Sequence, residues 1–449
     1  MSEQLLDTAT RTLELARKLG AEESEVTVLD GNEFEVTVRM GNVEQLKESG
    51  SCGAGIRVLL GTRAGSAYTS DLSVDGLKRM VSSAIELARI ASEDPFAGLP
   101  PDDELGIHQG ELELFDEGLA TLATDTKIEM AREAEKAAMA VDSRIVNSEG
   151  GSFSSYTTTR AFASSHGFAG SYVTSSATLS AAPVVEENGK LQRDYWYSSA
   201  LRLDRLEPAE LVGRKAGERV IRRLGARKVP TTKVPIVFEP RTARSLIGHV
   251  FEAIAGEAVY RNSSFLAGML GEQVAASSVT IIDDSTVPGL FGSSPFDDEG
   301  VRSRRTVVVE NGVLRSYLLN SYAARKLGLR TTGNASRGIT GNASTGHGNL
   351  YLQAAAATPE SIISSLPRGL YVTELLGSGV NIVNGDYSRG AVGLWIEGGS
   401  LAYAVEEVTI ASTLRHMLEG IQEIGSDLEF RGSVAAPTIL VGEMMVSGH

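Results

Sequence analysis

The stretch Arg241-Thr-Ala-Arg-Ser-Leu-Ile-Gly-His-Val-Phe-Glu-Ala-Ile-Ala-Gly-Glu-Ala-Val-Tyr260 carries the clearest periodic signal in the chain. Ala243, Leu246, Ile247, Val250, Phe251, Ile254, Ala255 and Ala258 recur at the spacing of one helix face, which predicts a single helix over 241–260. Ser245, His249, Glu252 and Gly256 fall on the opposite face. Upstream, Val234 to Phe238 reads as a strand. Downstream, Val279 to Ile282, Thr306 to Glu310 and Val313 to Leu319 read as strands, the last two joined by Asn311-Gly312, the strongest short hairpin signal. One strong helix among Gly-punctuated strands, with a late helix from about Thr413 to Ile424, predicts a β-rich C-terminal domain over 231–449.

Toward the N-terminus, Leu5, Leu6, Ala9, Leu13, Ala16 and Leu19 mark an amphipathic helix that Gly20 is placed to cap. Val26 and Val28, then Phe34, Val36, Val38 and Met40, alternate about Asp30-Gly31-Asn32 and read as a hairpin. A strand over Ile56 to Leu60 and a helix carrying Leu77, Met80, Val81, Ala84, Leu87 and Ala88 complete a compact unit. Residues 93–104, with Pro95, Pro100 and Pro101, have no apolar period and read as a linker, so the first domain is 1–104. The middle domain, 105–230, opens with a helix from about Asp125 to Val141. The Ser/Thr/Gly-rich region 147–182 follows, read as short strands whose hydroxyls face solvent, with a binding surface as the alternative. A helix between Glu207 and Leu224 leads into a basic stripe of Arg214, Lys215, Arg219, Arg222, Arg223, Arg227 and Lys228. It reads as a solvated face, with docking of an acidic partner as the alternative. The fold class is α+β.

Against 42 Lys+Arg stand 57 Asp+Glu in 449 residues, a net charge of −15, which argues against phosphate tracking and hence against nucleic acid as a partner. No run approaches the roughly 18 apolar residues of a membrane span. The polar, acidic start of the chain gives no expectation of a secretory signal, and the single cysteine, Cys52, permits no intramolecular disulfide; both fit a cytoplasmic protein. Neither a Gly-x-Ser-x-Gly elbow nor a phosphate loop is present. Cys52 has no neighbour to activate it as a nucleophile and reads as structural. The six histidines, 108, 166, 249, 347, 416 and 449, are scattered and form no His-Glu-x-x-His helix. His249 and Glu252, three apart on one helix face, are the candidates for a general base or metal-binding pair, with a surface pair as the default.

Phe251-Glu-Ala-Ile-Ala-Gly256, Ser294-Pro-Phe-Asp-Asp-Glu-Gly300, Glu310-Asn-Gly-Val-Leu314, Thr332-Gly-Asn-Ala335 and Gly385-Asp-Tyr-Ser388 occur in an order and spacing that resemble the TldD/PmbA family, in which PmbA is also called TldE. Gly55-Ile-Arg-Val58 and Gly61-Thr-Arg-Ala-Gly-Ser66 resemble its N-terminal domain, so the likeness covers nearly the whole chain. The family includes zinc peptidases whose TldD-type chain carries His-Glu-x-x-x-His on the helix matching 241–260, plus a late cysteine ligand. Aligned on the shared Glu-Ala, those histidines fall on Phe251 and Gly256, and the cysteine falls near Ile424-Gly-Ser-Asp427. Phe and Gly have no lone pair to give Zn²⁺.

The resemblance therefore implies a PmbA/TldE-type subunit without metal ligands of its own. Zinc is expected only in a TldD-type partner, paired with this chain around a chamber that admits peptides; a homodimer of this chain is the alternative pairing. Asp297, Asp298 and Glu299 precede a Gly and offer three carboxylates to a groove, with a strand-capping turn as the equal alternative. Asn334, Asn349 and Ser388 lie in Gly/Asn-rich loops whose exposed backbone suits an extended peptide, with structural turns as the rival reading. Three functions follow: a non-catalytic peptidase subunit, an independent metal-dependent peptidase using His249 and Glu252, or a homodimeric peptide-binding scaffold.

Overall fold

In the computed structural model, residues 2–448 are described; Met1 and His449, the last of the six histidines, lie outside the described residues. One antiparallel sheet organises the N-terminal half. Its strands are β1 (Glu23–Arg39), β2 (Asn42–Leu60), β3 (Arg63–Thr69), β4 (Ile145–Ser164), β5 (Ala169–Glu187), β6 (Lys190–Arg193) and β7 (Trp196–Ala200). They run in the order β3-β2-β1-β4-β5, with β6 and β7 both on β5. Helices α1 (Ser2–Lys18) and α2 (Val74–Ile90) cover one end of this sheet; the one-turn α3 (Glu117–Ala120), α4 (Thr124–Met139) and α5 (Ala209–Ile221) cover the other. β1 shows why both sets share a face. Val26 and Val28 are buried under α1 and α2, while Phe34, Val36 and Val38, an even number of residues on, are buried under α4 and α5.

β1 runs straight through Asp30-Gly31-Asn32, where a turn was expected. Gly31 pairs with Ser51 on one side and Thr158 on the other, and a turn there would break both ladders. The chain reverses instead at Met40-Gly41, both at positive φ (49° and 79°), where the buried Glu135 carboxylate accepts both backbone N–H groups at 2.8 and 2.9 Å. The short strands expected over 147–182 are two long ones, β4 and β5. Phe153, Ala161, Ala163, Ala177, Leu179 and Ala181 keep period 2 toward the helices, while hydroxyl residues take the other face. β1 pairs with β4 from Glu25↔Ser164 to Val38↔Gly151, so the expected units 1–104 and 105–230 share one sheet.

Residues 93–104 are not a free linker. Arg325 donates to the carbonyls of Phe96, Gly98 and Leu99, Tyr322 Oη donates to Asp94, and the buried Glu104 takes Arg304 and Arg330. The basic stripe of the α5 region is solvated in part: Arg214, Arg222, Arg227 and Lys228 are exposed, as read, while Arg219, Lys215 and Arg223 turn inward. Arg219 is buried on Glu239 and Asp194, Arg223 reaches Glu374, Lys215 reaches Glu207, and Arg227 lies 3.5 Å from the Tyr403 ring centroid. Helical periodicity alone placed Arg219, Lys215 and Arg223 outside because it does not register a second element packing on that face.

The C-terminal half runs β8 (Thr232–Phe238), α6 (Pro240–Ile254), α7 (Gly256–Tyr260), β9 (Ile281–Asp284), β10 (Arg305–Glu310), β11 (Val313–Leu314), α8 (Ser321–Leu327), β12 (Ala335–Ser336), β13 (Ser344–Thr345) and β14 (Asn349–Leu352). It continues with α9 (Pro359–Ser364), β15 (Arg368–Leu376), β16 (Val380–Asn381), β17 (Asp386–Glu397), β18 (Ser400–Thr413), α10 (Leu414–Glu419), β19 (Ile421–Ile424), β20 (Val434–Ala435) and β21 (Ile439–Ser447). β15, β8, β21, β18 and β17 pair in sequence, and β17 pairs back onto β15, closing a ring. A second sheet, β11-β10-β9-β14-β20, lies across α6, whose Leu246, Ile247, Val250 and Ile254 share one core with Ile236, Leu350 and Leu370. The Asn311-Gly312 hairpin forms as read, with φ of 49° and 80°. The strand expected to reach Leu319 stops at Leu314, and the expected late helix divides into α10 and β19.

The helix expected over 241–260 breaks at Ala255, whose ψ is 136°. The break frees backbone groups for a neighbour: Gly256 N–H donates to Leu318 O (3.0 Å) and Leu318 N–H donates to Ile254 O (3.2 Å). Residues 317–319, read as strand, run beside this junction.

Candidate functional site

The break in α6 sets the local geometry of Phe251 and Gly256, the two positions where the resemblance would place histidines. Phe251, on the last turn before it, meets His347 edge-on with ring centroids 4.6 Å apart. Gly256, just after it, has no room for a side chain: a Cβ there would stand 2.3 Å from Ala323 Cβ. Glu252 points elsewhere and accepts from His249 Nδ1 at 3.2 Å, while His249 Nε2 is buried without a partner and its ring lies edge-on to Tyr387. The Ile424 to Asp427 segment, where the resemblance would place a cysteine ligand, contains neither Cys nor His. Asp427 accepts the N–H and O–H of Thr438 and lines a cavity with Glu239 and Pro240, at the N-terminal end of α6. Cys52 is exposed on β2, in the other half. Among the described residues no three His, Cys, Asp or Glu side chains converge as metal donors, so the donor set does not fit a zinc ion.

The three carboxylates at 297–299 are brought to the seam between the N-terminal sheet and the loops around α8. Asp297 accepts the N–H groups of Glu299, Val301 and Ala335, all at 2.9 Å. Asp298 takes Arg160 Nη1 at 2.5 Å and Arg337 N–H at 2.7 Å, and Glu299 accepts Ser321 N–H at 2.9 Å. Burial and then the charge of Glu299 push Asp297 well above the usual carboxylate range, against its three N–H donors. Burial and then the charge of Glu25 raise Glu299 as well. Glu25 goes the other way: its burial is outweighed by the guanidiniums of Arg337 and Arg57, both hydrogen-bonded to Oε1, and its carboxyl is held below the ordinary value.

Asn334 donates to Asp283 Oδ2 and accepts from Thr332 Oγ1, while the fully buried Asn349 donates to Asp284 O and Ser293 Oγ and accepts from Gly292 N–H. The polar atoms of Asp297, Asn334 and Asn349 are therefore engaged by the loops themselves. Ser388 is exposed on β17 and lines a separate open pocket with Asn381 and Tyr387.

A small pocket of about 240 Å³ remains at this seam, lined by Arg160, Tyr172, Thr174, Asp298 and His347 among others. It opens from the helix-free face of the N-terminal sheet, where Ser154, Tyr156 and Thr158 of β4 stand beside Thr174, Ser176 and Thr178 of β5. His347 Nδ1 donates to Gly348 O at 2.8 Å; because a carbonyl only accepts, the proton is on Nδ1. Arg160, Tyr172 and His347 carried no signal in the sequence, since three distant segments bring them together.

The sequence matches the PmbA/TldA metallopeptidase domain 1 over residues 24–88, the central domain over 117–224 and the C-terminal domain over 231–448. Metalloprotease PmbA of Escherichia coli O157:H7 is 38% identical over 447 residues, 99% of this chain and 97% of that protein. A PmbA homologue of Haemophilus influenzae is 36% identical over 447 residues, 100% of this chain and 97% of that one. The fold superposes with TM-score 0.91 on a Bacteroides thetaiotaomicron protein described as a candidate modulator of DNA gyrase, 26% identical, over 99% of this chain and 98% of that one. TldE of Thermococcus kodakarensis shares the fold at TM-score 0.88, with 22% identity over 98% of this chain and all of that one. On sequence and fold together, the chain belongs to the PmbA/TldD metallopeptidase family.

Proposed function

We propose that this chain is the non-catalytic, PmbA/TldE-type subunit of a peptide-processing metallopeptidase, pairing with a TldD-type chain that carries the zinc. The observation that carries this reading is the packing of Gly256 on Ala323, which leaves no room for an imidazole at the second motif position; the first is Phe251. Without those lone pairs a bound water has no metal to lower its pKa. What this chain contributes instead is surface. The hydroxyl face of β4 and β5 and the seam pocket beside it offer donors and acceptors to the main chain of an extended peptide, which selects shape over sequence. No helix among the described residues is long and apolar enough to cross a membrane.

The test is reconstitution. The purified chain alone should hold no stoichiometric zinc and cleave no unfolded peptide, and should support cleavage when mixed with a TldD-type chain. One tightly bound zinc per chain, or activity of the chain alone, defeats the reading. The 3.2 Å His249–Glu252 pair favours the rival, an independent peptidase. That rival requires His249→Ala or Glu252→Ala to abolish activity of the isolated chain.

A further inference from the structure

At the N-terminal end of α6, opposite the seam pocket, a cavity of about 420 Å³ lies between the middle region and the C-terminal half. Six cations line it against four carboxylates. Most of these charges are matched within the chain. Arg219 forks onto Glu239 at 2.9 and 3.1 Å, Arg431 meets Glu207 and Glu429, and Asp427 is taken up by Thr438. Two cations are not matched: among the described residues, Arg222 and Arg244 have no carboxylate partner, and the hydrogen bond of Arg244 goes to Tyr197 Oη at 2.8 Å. Arg219 Nε is also buried without a hydrogen-bond acceptor; Asp194 Oδ2 stands 3.4 Å away as an ion-pair contact.

A guanidinium presents its donors in a fixed planar fork that matches carboxylate and phosphate oxygens. Here two such forks face one concavity whose apolar surface comes from Trp196, Pro240 and Val434, the mixture typical of small-molecule pockets. We propose that this cavity binds a small organic oxyanion, a carboxylate or a phosphate on a compact body, held by Arg222 and Arg244. Arg222 caps the C-terminal end of α5 and Arg244 lies in the first turns of α6, so the occupant ties the middle region to the C-terminal half. This site is independent of the peptide-processing reading.

Tryptophan emission reports on it. The chain has two tryptophans, and the one outside the cavity, Trp395, stacks on Tyr403. The W395F variant is titrated with inorganic phosphate, adenosine monophosphate and citrate. The expected result is a saturable change in Trp196 emission with at least one of them, together with a rise in melting temperature. In the R222Q/R244Q double variant that affinity should fall by about tenfold or more, the scale of lost charge-assisted hydrogen bonds. A response to phosphate and the nucleotide alone assigns a phosphoryl ligand, and a response to citrate alone assigns a carboxylate; either supports the site. No saturation with any of the three overturns it, as does unchanged affinity in the double variant. If W395F fails to fold, the same titrations on the natural chain and the double variant decide between the same outcomes.

Discussion

The two ends of α6 have opposite chemistry. At its C-terminal end Phe251 packs on His347, and Gly256 packs on Ala323, so both positions are filled by contact rather than by donors. At its N-terminal end Glu239 and Arg219 are buried as an ion pair beside an open, cation-rich cavity. The difference teaches that a helix can keep its place in a family fold while one end closes into apolar packing and the other holds charges that need partners. The glutamate left at the closed end, Glu252, is turned to His249 and faces no ligand set.

The strongest way to break this contrast is at the charged end. Glu239→Ala leaves Arg219 with only the more distant Asp194, and a stranded buried charge costs about 3–5 kcal/mol, read from urea denaturation. A loss under about 1 kcal/mol would mean water already reaches that pair. At the closed end, Gly256→Ala drives a methyl into Ala323 and should cost about 1–3 kcal/mol. The double variant with Ala323→Gly should recover most of that loss, and failure to recover would place the strain on Thr345 Oγ1 and Leu319 Cδ2, 3.0 and 3.2 Å from the new methyl.

A third measurement sharpens the contrast through pH. Asp297 and Glu299 are raised in the folded chain, so together they retain proton that the unfolded chain releases. Their contribution is complete below the ordinary carboxylate range and is lost as pH rises through the raised values. The slope is at most about 1.4 kcal/mol per pH unit for one retained proton, and urea midpoints between about pH 4 and about pH 8 should show it. Glu299→Gln removes the like charge beside Asp297 and should flatten that slope; an unchanged slope assigns it to other groups. Glu25 carries the opposite sign, its stabilisation being present above the ordinary value and lost as pH falls through the depressed one. The smallest expected effect is Phe251→Leu, which deletes the edge-to-face contact with His347 and should cost about 0.5–1.5 kcal/mol by thermal denaturation.

Much of this was legible in the residues, because local periodicity records what one element buries. The apolar faces of α1, α2 and α6 and the Asn311-Gly312 turn are local facts, and the family blocks drew the family itself from the sequence. Features decided by two distant segments were not. The turn at Met40-Gly41 depends on Glu135 from a helix far along the chain, and Gly31 stays extended because strands on both sides hold it. Helix continuity across Ala255 fails because Leu318 offers a better partner for Gly256. The loop carboxylates and Asn349 were readable as polar residues near turns, but their partners, Ser321, Ala335 and Gly292, are tertiary.

The shared N-terminal sheet has a consequence for synthesis. Ser24 hydrogen-bonds Ser165, 141 residues later, and β1 has β2 on one flank and β4 on the other. A nascent chain that has exposed only its first hundred or so residues holds β1 with one bare edge, at the roughly 5–20 residues per second of translation. The sheet can close only after β4 leaves the ribosome, so a pause before that point lengthens the interval in which an open strand can meet the wrong partner.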